Sequence, residues 1–295
     1  MTLEQLRIFL AVAERAHVTR AAEALRMTQS AVSAALRALE ARHDVRLFDR
    51  VGRGIALTEA GRRFVPAARA VLHQAETAEL ILNDLSARPR GRLRIEASQT
   101  VATCFLPPIL VRLRQANPDL TVALRLGNTT SVARAVAEGA ADLGFVEGEV
   151  AQGNLLARVI ARDELVLVMR RDHPAARAPM SAKAYRALDW VLREEGSGTR
   201  AEIEGHLARM GLASGDLRVL LEIPSNEAVL SAVAGSDCVS MVSRRAVEVL
   251  AAEGAVRLRR VTWAPRPERP FTVLSHPDRH RTRAVDALLA EIDAA

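Results

Sequence analysis

The sequence predicts an α/β protein in which a small helical head precedes a larger region of alternating strands and helices. Three observations carry that prediction. Apolar residues in the first 85 positions recur every three or four residues, the helix period. From Gly91 onward, short β-prone runs alternate with amphipathic stretches, the pattern of strands covered by helices. The chain's 295 residues, 49% of them hydrophobic, are enough for two domains or three, each with its own core.

Leu3 to Ala16 reads as a first helix, with Leu6, Phe9, Leu10 and Ala13 facing inward. Val18 to Leu25 follows as a short second helix, its Ala21, Ala22 and Leu25 at helical spacing. Arg26-Met27-Thr28 breaks the period as a tight turn, and Thr28 can cap a third helix whose apolar face is Ala31, Val32, Ala35, Leu36 and Leu39. Two short helices joined by such a turn make a helix-turn-helix, whose second helix lies in the DNA major groove. Its other face carries Gln29, Ser30, Ser33, Ala34 and Arg37, and Gln and Arg suit bidentate contacts with adenine and guanine edges. Val45 to Phe48 and Gly54 to Leu57 are β-prone runs separated by residues 49–53. They form a hairpin wing that brings Arg50 and Arg53 to phosphates.

The order of residues in this head, T-Q-S-A-V-S-x-x-L-x-x-L-E, then R-L-F-x-R, then L-T-x-A-G, closely resembles the signature of LysR-type transcriptional regulators. Here it runs through Thr28 to Ser33, Leu36, Leu39, Glu40, Arg46 to Phe48, Arg50, Leu57, Thr58, Ala60 and Gly61. One departure is His43-Asp44, where the family has Leu-Gly. Asp tolerates the left-handed helix end that glycine would supply, so the turn is expected to survive.

A further helix begins at Thr58 with Gly61 just inside, and Pro66 is expected to kink it by removing a backbone donor. Phe64, Ala68, Val71, Ala75, Ala78, Leu82 and Leu85 step along it at heptad spacing, a seam for pairing with a second copy. It resembles the family's linker helix and ends at Ser86-Ala87-Arg88-Pro89, a hinge.

The first strand of the remainder is Leu93 to Ala97, followed by a helix from Val101 to Ala116 interrupted at Pro107-Pro108. A strand Leu120 to Leu126, a helix Val132 to Glu138 and a strand Asp142 to Val146 complete a first unit. A second comprises Glu164 to Met169, Trp190 to Leu192, a helix Thr199 to Met210, Leu217 to Ile223, a helix Glu227 to Ala234 and Val239 to Val242. Phe271 to Leu274 and a helix Thr282 to Ile292 return to the first unit. The alternation implies a mostly parallel sheet. Two α/β lobes with crossings near 162 and 268 resemble the family's effector domain, built like a periplasmic binding protein. The expected organisation is a winged helix-turn-helix at 1–58, a linker helix and hinge at 59–89, and an effector domain at 90–295. Lobe I of that domain is about 91–162 with 269–295, and lobe II about 163–268.

In open α/β sheets, ligands sit beyond the carboxyl ends of strands, where helix starts present unpaired amides. Three such loops are rich in hydroxyls: Ser98-Gln99-Thr100, Asn128-Thr129-Thr130-Ser131 and Gly196-Ser197-Gly198-Thr199-Arg200. Each alone reads as a helix cap; together, with an Arg nearby, they favour an anion, either a carboxylate or an inorganic oxyanion. Ser98, Thr100, Thr129, Ser131, Ser197, Thr199 and Arg200 are therefore candidate effector ligands. Glu147 in Phe145 to Gly148 borders the cleft, to repel or orient the ligand, and Asn226 belongs to a fourth wall at 223–226. At 234–239 Asp237 stands where the family has the second glycine of a Gly-x-Gly turn.

The formal charge of +6 is concentrated in the head: residues 1–90 hold 14 Arg against 10 Asp or Glu, while the rest carries +2. A polyanionic partner calls for that placement. Lys183 is the only lysine, a bias that runs through the whole chain. Cys104 and Cys238 are too few for a disulfide framework and read as buried thiols rather than a redox pair. No export leader and no membrane-length apolar run are evident, so the cytoplasm is the expected location. No nucleophile elbow, zinc-protease, phosphate-loop or paired C-x-x-C motif points to an enzyme, and no cofactor or metal is expected. The expected function is a DNA-binding transcriptional regulator modulated by a small anionic effector between the lobes. Its implied partners are double-stranded DNA, a second copy in a dimer or tetramer, and RNA polymerase. A solute-binding protein without regulatory role is the alternative; it accounts for the last 205 residues but not the first 90.

Overall fold

Thr2 opens the chain with a reciprocal cap, its hydroxyl accepting from the Gln5 amide while the Gln5 side chain accepts from the Thr2 amide. The computed structural model describes residues 1–51, 54–84, 89–148, 150, 153–261 and 263–295. Two compact units make up the chain, residues 1–85 with 138–140, and residues 86–137 with 141–295.

The first unit contains α1 (Leu3–Arg15), α2 (Val18–Leu25), α3 (Gln29–His43), a hairpin of β1 (Phe48–Val51) and β2 (Gly54–Leu57), and α4 (Glu59–Asp84). The three short helices match the expected spans to within a residue or so, and Asp44 ends α3 with φ 50°, as its tolerance of that conformation suggests. The core gathers Leu6, Phe9, Val12, Ala21, Val32, Leu36, Leu39 and Ala68, with Phe9 packed at a tilt against Phe48 and Phe64, ring centroids 5.4 and 5.0 Å away.

The first wing strand lies three residues later than expected. Val45 to Leu47 is instead an extended connection, held because the Glu40 carboxylate accepts from the Leu47 amide at 2.7 Å and the Phe48 amide at 3.2 Å. Strand pairing then starts at Phe48, opposite Leu57, and runs to Val51, opposite Gly54. Helix α4 continues through Pro66. The expected seam divides along it. Phe64 and Ala68 pack into the head, whereas Val71 and Leu82 are exposed; Leu85 and residues 86–88 of the hinge lie outside the described residues.

The second unit is built on β3 (Gly91–Ser98), α5 (Gln99–Cys104), α6 (Leu106–Ala116), β4 (Leu120–Gly127), α7 (Thr129–Glu138), β5 (Leu143–Glu147) and the long β6 (Leu156–Arg170). It continues with α8 (Ala182–Arg186), β7 (Asp189–Arg193), α9 (Gly198–Arg209), β8 (Arg218–Ile223), α10 (Asn226–Ala234), β9 (Cys238–Ser243), α11 (Arg244–Ala252) and β10 (Val256–Arg259). It closes with β11 (Glu268–Ser275) and α12 (Arg283–Asp293).

The strand order is β4-β3-β5-β11-β6-β9-β7-β8, with β10 also on β6. The pairs of β3 with β4 and β5, and of β7 with β8 and β9, are parallel. Around the crossing strands β6 and β11 every pair is antiparallel, so the expectation of a mostly parallel sheet holds only for the outer strands. The antiparallel pairs arise because β6 enters and β11 returns between lobes without a crossover helix. Up to Glu164, β6 pairs with β11; from Leu165 it pairs with β9, so one strand belongs to both lobes.

The helix expected from Val101 to Ala116 is two helices broken at Phe105, since Pro107 falls in the first turn of α6, where its missing amide costs nothing. Helices α8 and α11 and strand β10 were not anticipated. Cys104 and Cys238 are free and half-buried rather than buried. Among the described residues, no helix is long and apolar enough to cross a membrane.

Candidate functional site

In the first unit, Thr28 caps α3 by accepting from the Ala31 amide at 3.2 Å, and its hydroxyl lies 3.1 Å from that of Ser30. This fixes the start of the proposed reading helix. Val32, Leu36 and Leu39 are buried beneath it, while Gln29, Ser30 and Arg37 are exposed and Ser33 is half-buried. Arg50 is exposed on β1, and Arg53 lies outside the described residues. Several residues of the head motif turn out to hold the wing rather than face outward. Glu40 binds the two amides noted above, and the Thr58 hydroxyl donates to the Arg46 carbonyl at 2.8 Å while accepting from the Gly61 amide at 3.0 Å. A Cβ on Gly61 would lie 2.2 Å from the Leu47 carbonyl oxygen, so only glycine admits this approach of helix to wing.

In the second unit the loops after β3, β4, β5 and β7 meet between the lobes. A cavity of about 840 Å³ is walled by Thr129, Glu147, Ser197 and Arg200 from the expected set, together with Thr130, Glu195, Glu268 and others. Helices α7 and α9 both start on this wall, at Thr129 and Gly198. A Cβ on Gly198 would meet the Glu147 carbonyl at 2.5 Å, so glycine lets the two lobes approach.

Thr100, Thr199 and Asn226 are not on that wall but buried in a polar network behind it, and Ser98 is buried there with its hydroxyl unpartnered among the described residues. At its centre is Arg269 of β11, fully buried. Its Nε and Nη2 donate to Asp163 Oδ2 at 3.0 and 2.9 Å, Nη1 donates to Thr199 Oγ1 at 2.9 Å, and Nη2 donates to Thr100 Oγ1 at 3.3 Å. The Ser243 hydroxyl donates to the other Asp163 oxygen at 2.7 Å. So charged a group tolerates burial only because each of its nitrogens is partnered. Arg193 pairs with Glu194 through Nε and Nη2 at 2.8 and 3.0 Å, and its Nη1 donates to Asn226 Oδ1 at 2.5 Å. Burial pushes the Glu194 pKa up, but the Arg193 guanidinium outweighs it and holds the carboxyl below its ordinary range.

Bridges between loops draw the lobes together. Gln99 donates to the Pro224 carbonyl at 2.9 Å and accepts from the Asn226 amide at 2.8 Å. The Thr130 amide donates to the Gly196 carbonyl at 3.3 Å, and Asn128 Nδ2 to Glu194 at 3.2 Å.

Three expectations are revised by this geometry. Ser131 serves only the start of α7, accepting from the Asn128 amide and donating to its carbonyl. Arg200 is not a spare cation. It pairs with Glu204 at 2.6 Å and Glu222 at 2.8 Å; burial lowers its pKa, but these carboxylates outweigh it and raise it. Glu147 is 2% exposed and accepts from the Thr100 amide at 3.0 Å, so it anchors the loop after β3. Among the described residues the cavity wall is acidic: it carries Glu147, Glu195, Glu202, Glu204, Glu222 and Glu268 against Arg200 and Arg209. Arg209 in turn pairs with Glu202 at 2.6 Å. Arg269, Asp163 and Arg193 were missed in the sequence. Their isolated charges sit in ordinary strand contexts, and only the fold makes them neighbours. Among the described residues, no group of three or more His, Cys, Asp or Glu side chains is placed to hold a metal ion.

Residues 3–62 match the lysR family of bacterial regulatory helix-turn-helix proteins, and residues 86–295 match the LysR substrate binding domain. The chain is 34% identical over 299 residues to the uncharacterized HTH-type transcriptional regulator YeiE of Escherichia coli K12, across 100% of this chain and 98% of that one. Full-length CbnR complexed with its target DNA shares the fold, with a TM-score of 0.73 at 21% identity over 100% of this chain and 99% of that chain. The regulatory domain of Synechocystis PCC6803 CcmR in complex with 2-PG is similar too, with a TM-score of 0.63 at 26% identity over 70% of this chain and 97% of that chain. The match to the helix-turn-helix family leaves the solute-binding alternative without support. The chain belongs to the LysR family, as a DNA-binding transcriptional regulator that joins a helix-turn-helix to an effector-binding domain.

Proposed function

We propose that this regulator, acting in the cytoplasm as a dimer or tetramer that contacts RNA polymerase, reads its operator through Thr28, Gln29, Ser30, Ser33 and Arg37. Arg50 and Arg53 clamp the flanking phosphates. The domains proposed are 1–58 for DNA, 59–89 for pairing and 90–295 for the effector. The effector is a small anion, a carboxylate or inorganic oxyanion, bound between the lobes. The observation that carries this reading is the convergence of the starts of α7 and α9, with Thr129 and Ser197, on one cavity. The positive dipole end at a helix start favours negative charge, and the similar CcmR domain was solved with 2-PG. The acidic wall opposes a second negative group further out, so the anion is compact. That same wall favours a second reading, a ligand with an ammonium group.

Both readings face one experiment, a thermal-shift and calorimetric screen of the full chain against sulfate, phosphate, 2-phosphoglycolate and putrescine. The expected result is stabilisation by one or more of the anions. It should be lost in the Thr129→Ala, Ser197→Ala double variant while operator binding is kept. Stabilisation by putrescine alone selects the ammonium reading, and an anion response that survives the double variant removes the cleft assignment.

A further inference from the structure

The hydroxyl of Thr100 is 0% exposed and has its hydrogen-bonding capacity nearly spent. A threonine hydroxyl offers two lone pairs and one hydrogen. Arg269 Nη2 donates to one lone pair at 3.3 Å. Asn226 Nδ2 donates to the other at 3.1 Å. The orientation of the Asn226 amide is settled by its neighbour. Arg193 has only donors, so the atom 2.5 Å from its Nη1 must be the amide oxygen, and the group facing Thr100 must be the NH₂. Both lone pairs are therefore occupied by groups that cannot reverse their roles, and Thr100 can only donate. No acceptor for that hydrogen is found among the described residues. Two positions earlier, at the end of β3, the Ser98 hydroxyl is 2% exposed and has no partner among the described residues. Buried polar groups without partners are uncommon and costly, and here one unpartnered hydroxyl and one with an unused hydrogen lie two residues apart where β3 meets α5.

We infer that Arg193 and Asn226, with Arg269, act as positioning residues that fix the polarity of this loop. They force the Thr100 hydroxyl to donate, so the buried layer behind the cavity wall, once uncovered, accepts a ligand rich in hydrogen-bond acceptors and rejects one that brings donors. The inference rests on the effector-cleft reading above and adds to it the residues that set the ligand's chemical class. Because Thr100 is buried behind the wall, the ligand reaches it as the lobes part along the bridges made by Gln99, Asn128 and Thr130.

The test uses the full chain and whichever of sulfate, phosphate and 2-phosphoglycolate binds it most tightly by calorimetry. Asn226→Asp keeps the shape and the contact to Arg193 but replaces the NH₂ with an acceptor, so the Thr100 hydrogen turns to Asp instead of to the ligand. The expected weakening is more than about tenfold in Kd, the size of one hydrogen bond to a charged group, with operator binding unchanged. Ser225→Asp adds the same charge one residue away, remains a good helix cap, and is expected to weaken the anion less than about threefold. Thr100→Val should match Asn226→Asp, and Thr100→Ser should restore binding. If Asn226→Asp retains wild-type affinity while Thr129→Ala, Ser197→Ala abolishes it, the cleft stands and the polarity relay falls. Equal losses in Asn226→Asp and Ser225→Asp reduce the effect to charge and also overturn it. If putrescine is the only probe that binds, the anion reading and the relay fail together while the ammonium reading of the same cavity stands; if none binds, all of them fail.

Discussion

His206 lies in the last turn of α9, wholly buried, with neither ring nitrogen partnered among the described residues. Burial, with a smaller push from the Arg209 charge, lowers its pKa from 6.5 to about 4. The folded state therefore keeps this imidazole neutral at pH values where the unfolded chain protonates it. Stability contributed by the neutral ring is intact above pH 6.5 and falls as the pH drops toward 4, by at most about 3 kcal/mol. Urea unfolding from pH 7 to 4 should show that decline, and His206→Leu should flatten it; an unchanged slope in the variant would exclude His206 as its source. At this scale, local roles were legible and long-range ones were not. Thr28 as a cap and Asp44 as a left-handed helix end follow from side-chain chemistry within a few residues. Arg269 finds its partners 70, 106 and 169 positions away, and nothing near it in sequence marks it as a hub.

Among elements, the reading helix is proposed to make the base contacts and the wing the phosphate contacts. α3 exposes Gln29, Ser30 and Arg37, and β1 exposes Arg50. Gln29→Ala is expected to cost about 1–3 kcal/mol on the operator and much less on random DNA, because a base contact is lost. Arg50→Ala should weaken both alike and lower the salt slope by about one, as loss of a phosphate contact does. Fluorescence anisotropy on both DNAs across a salt series tests the pair; an operator-only loss in Arg50→Ala would contradict the phosphate role. Helix periodicity located α1 to α3 well because one face of each is buried and the other is wet. It failed on β1, where the Glu40 carboxylate holds the preceding segment off the hairpin, and on β6, whose exposed first half shows no alternation of buried and exposed residues.

For the molecule as a whole, assembly is the property most exposed to test. Val71 and Leu82 are 41% and 67% exposed on the face of α4 where the heptad steps fall. Apolar residues left at such spacing pair with a second helix of the same kind. Leu82→Glu combined with Val71→Glu should convert the assembly to a smaller species in sedimentation velocity. The head itself should lose little stability, since exposed positions rarely cost more than about 0.5 kcal/mol. A sedimentation coefficient equal to wild type would remove α4 from the interface.

By itself the sequence determined the head, the alternation of strands and helices, and the hydroxyl-rich loops, since all three depend on side chains a few positions apart. Only the tertiary structure decided which of those hydroxyls cap helices and which are left without partners. It also decided that a buried Arg269–Asp163 pair joins the two crossing strands. Those outcomes depend on groups that meet when β6 and β11 pass between the lobes, and the pairing of distant strands leaves no local trace in the chain.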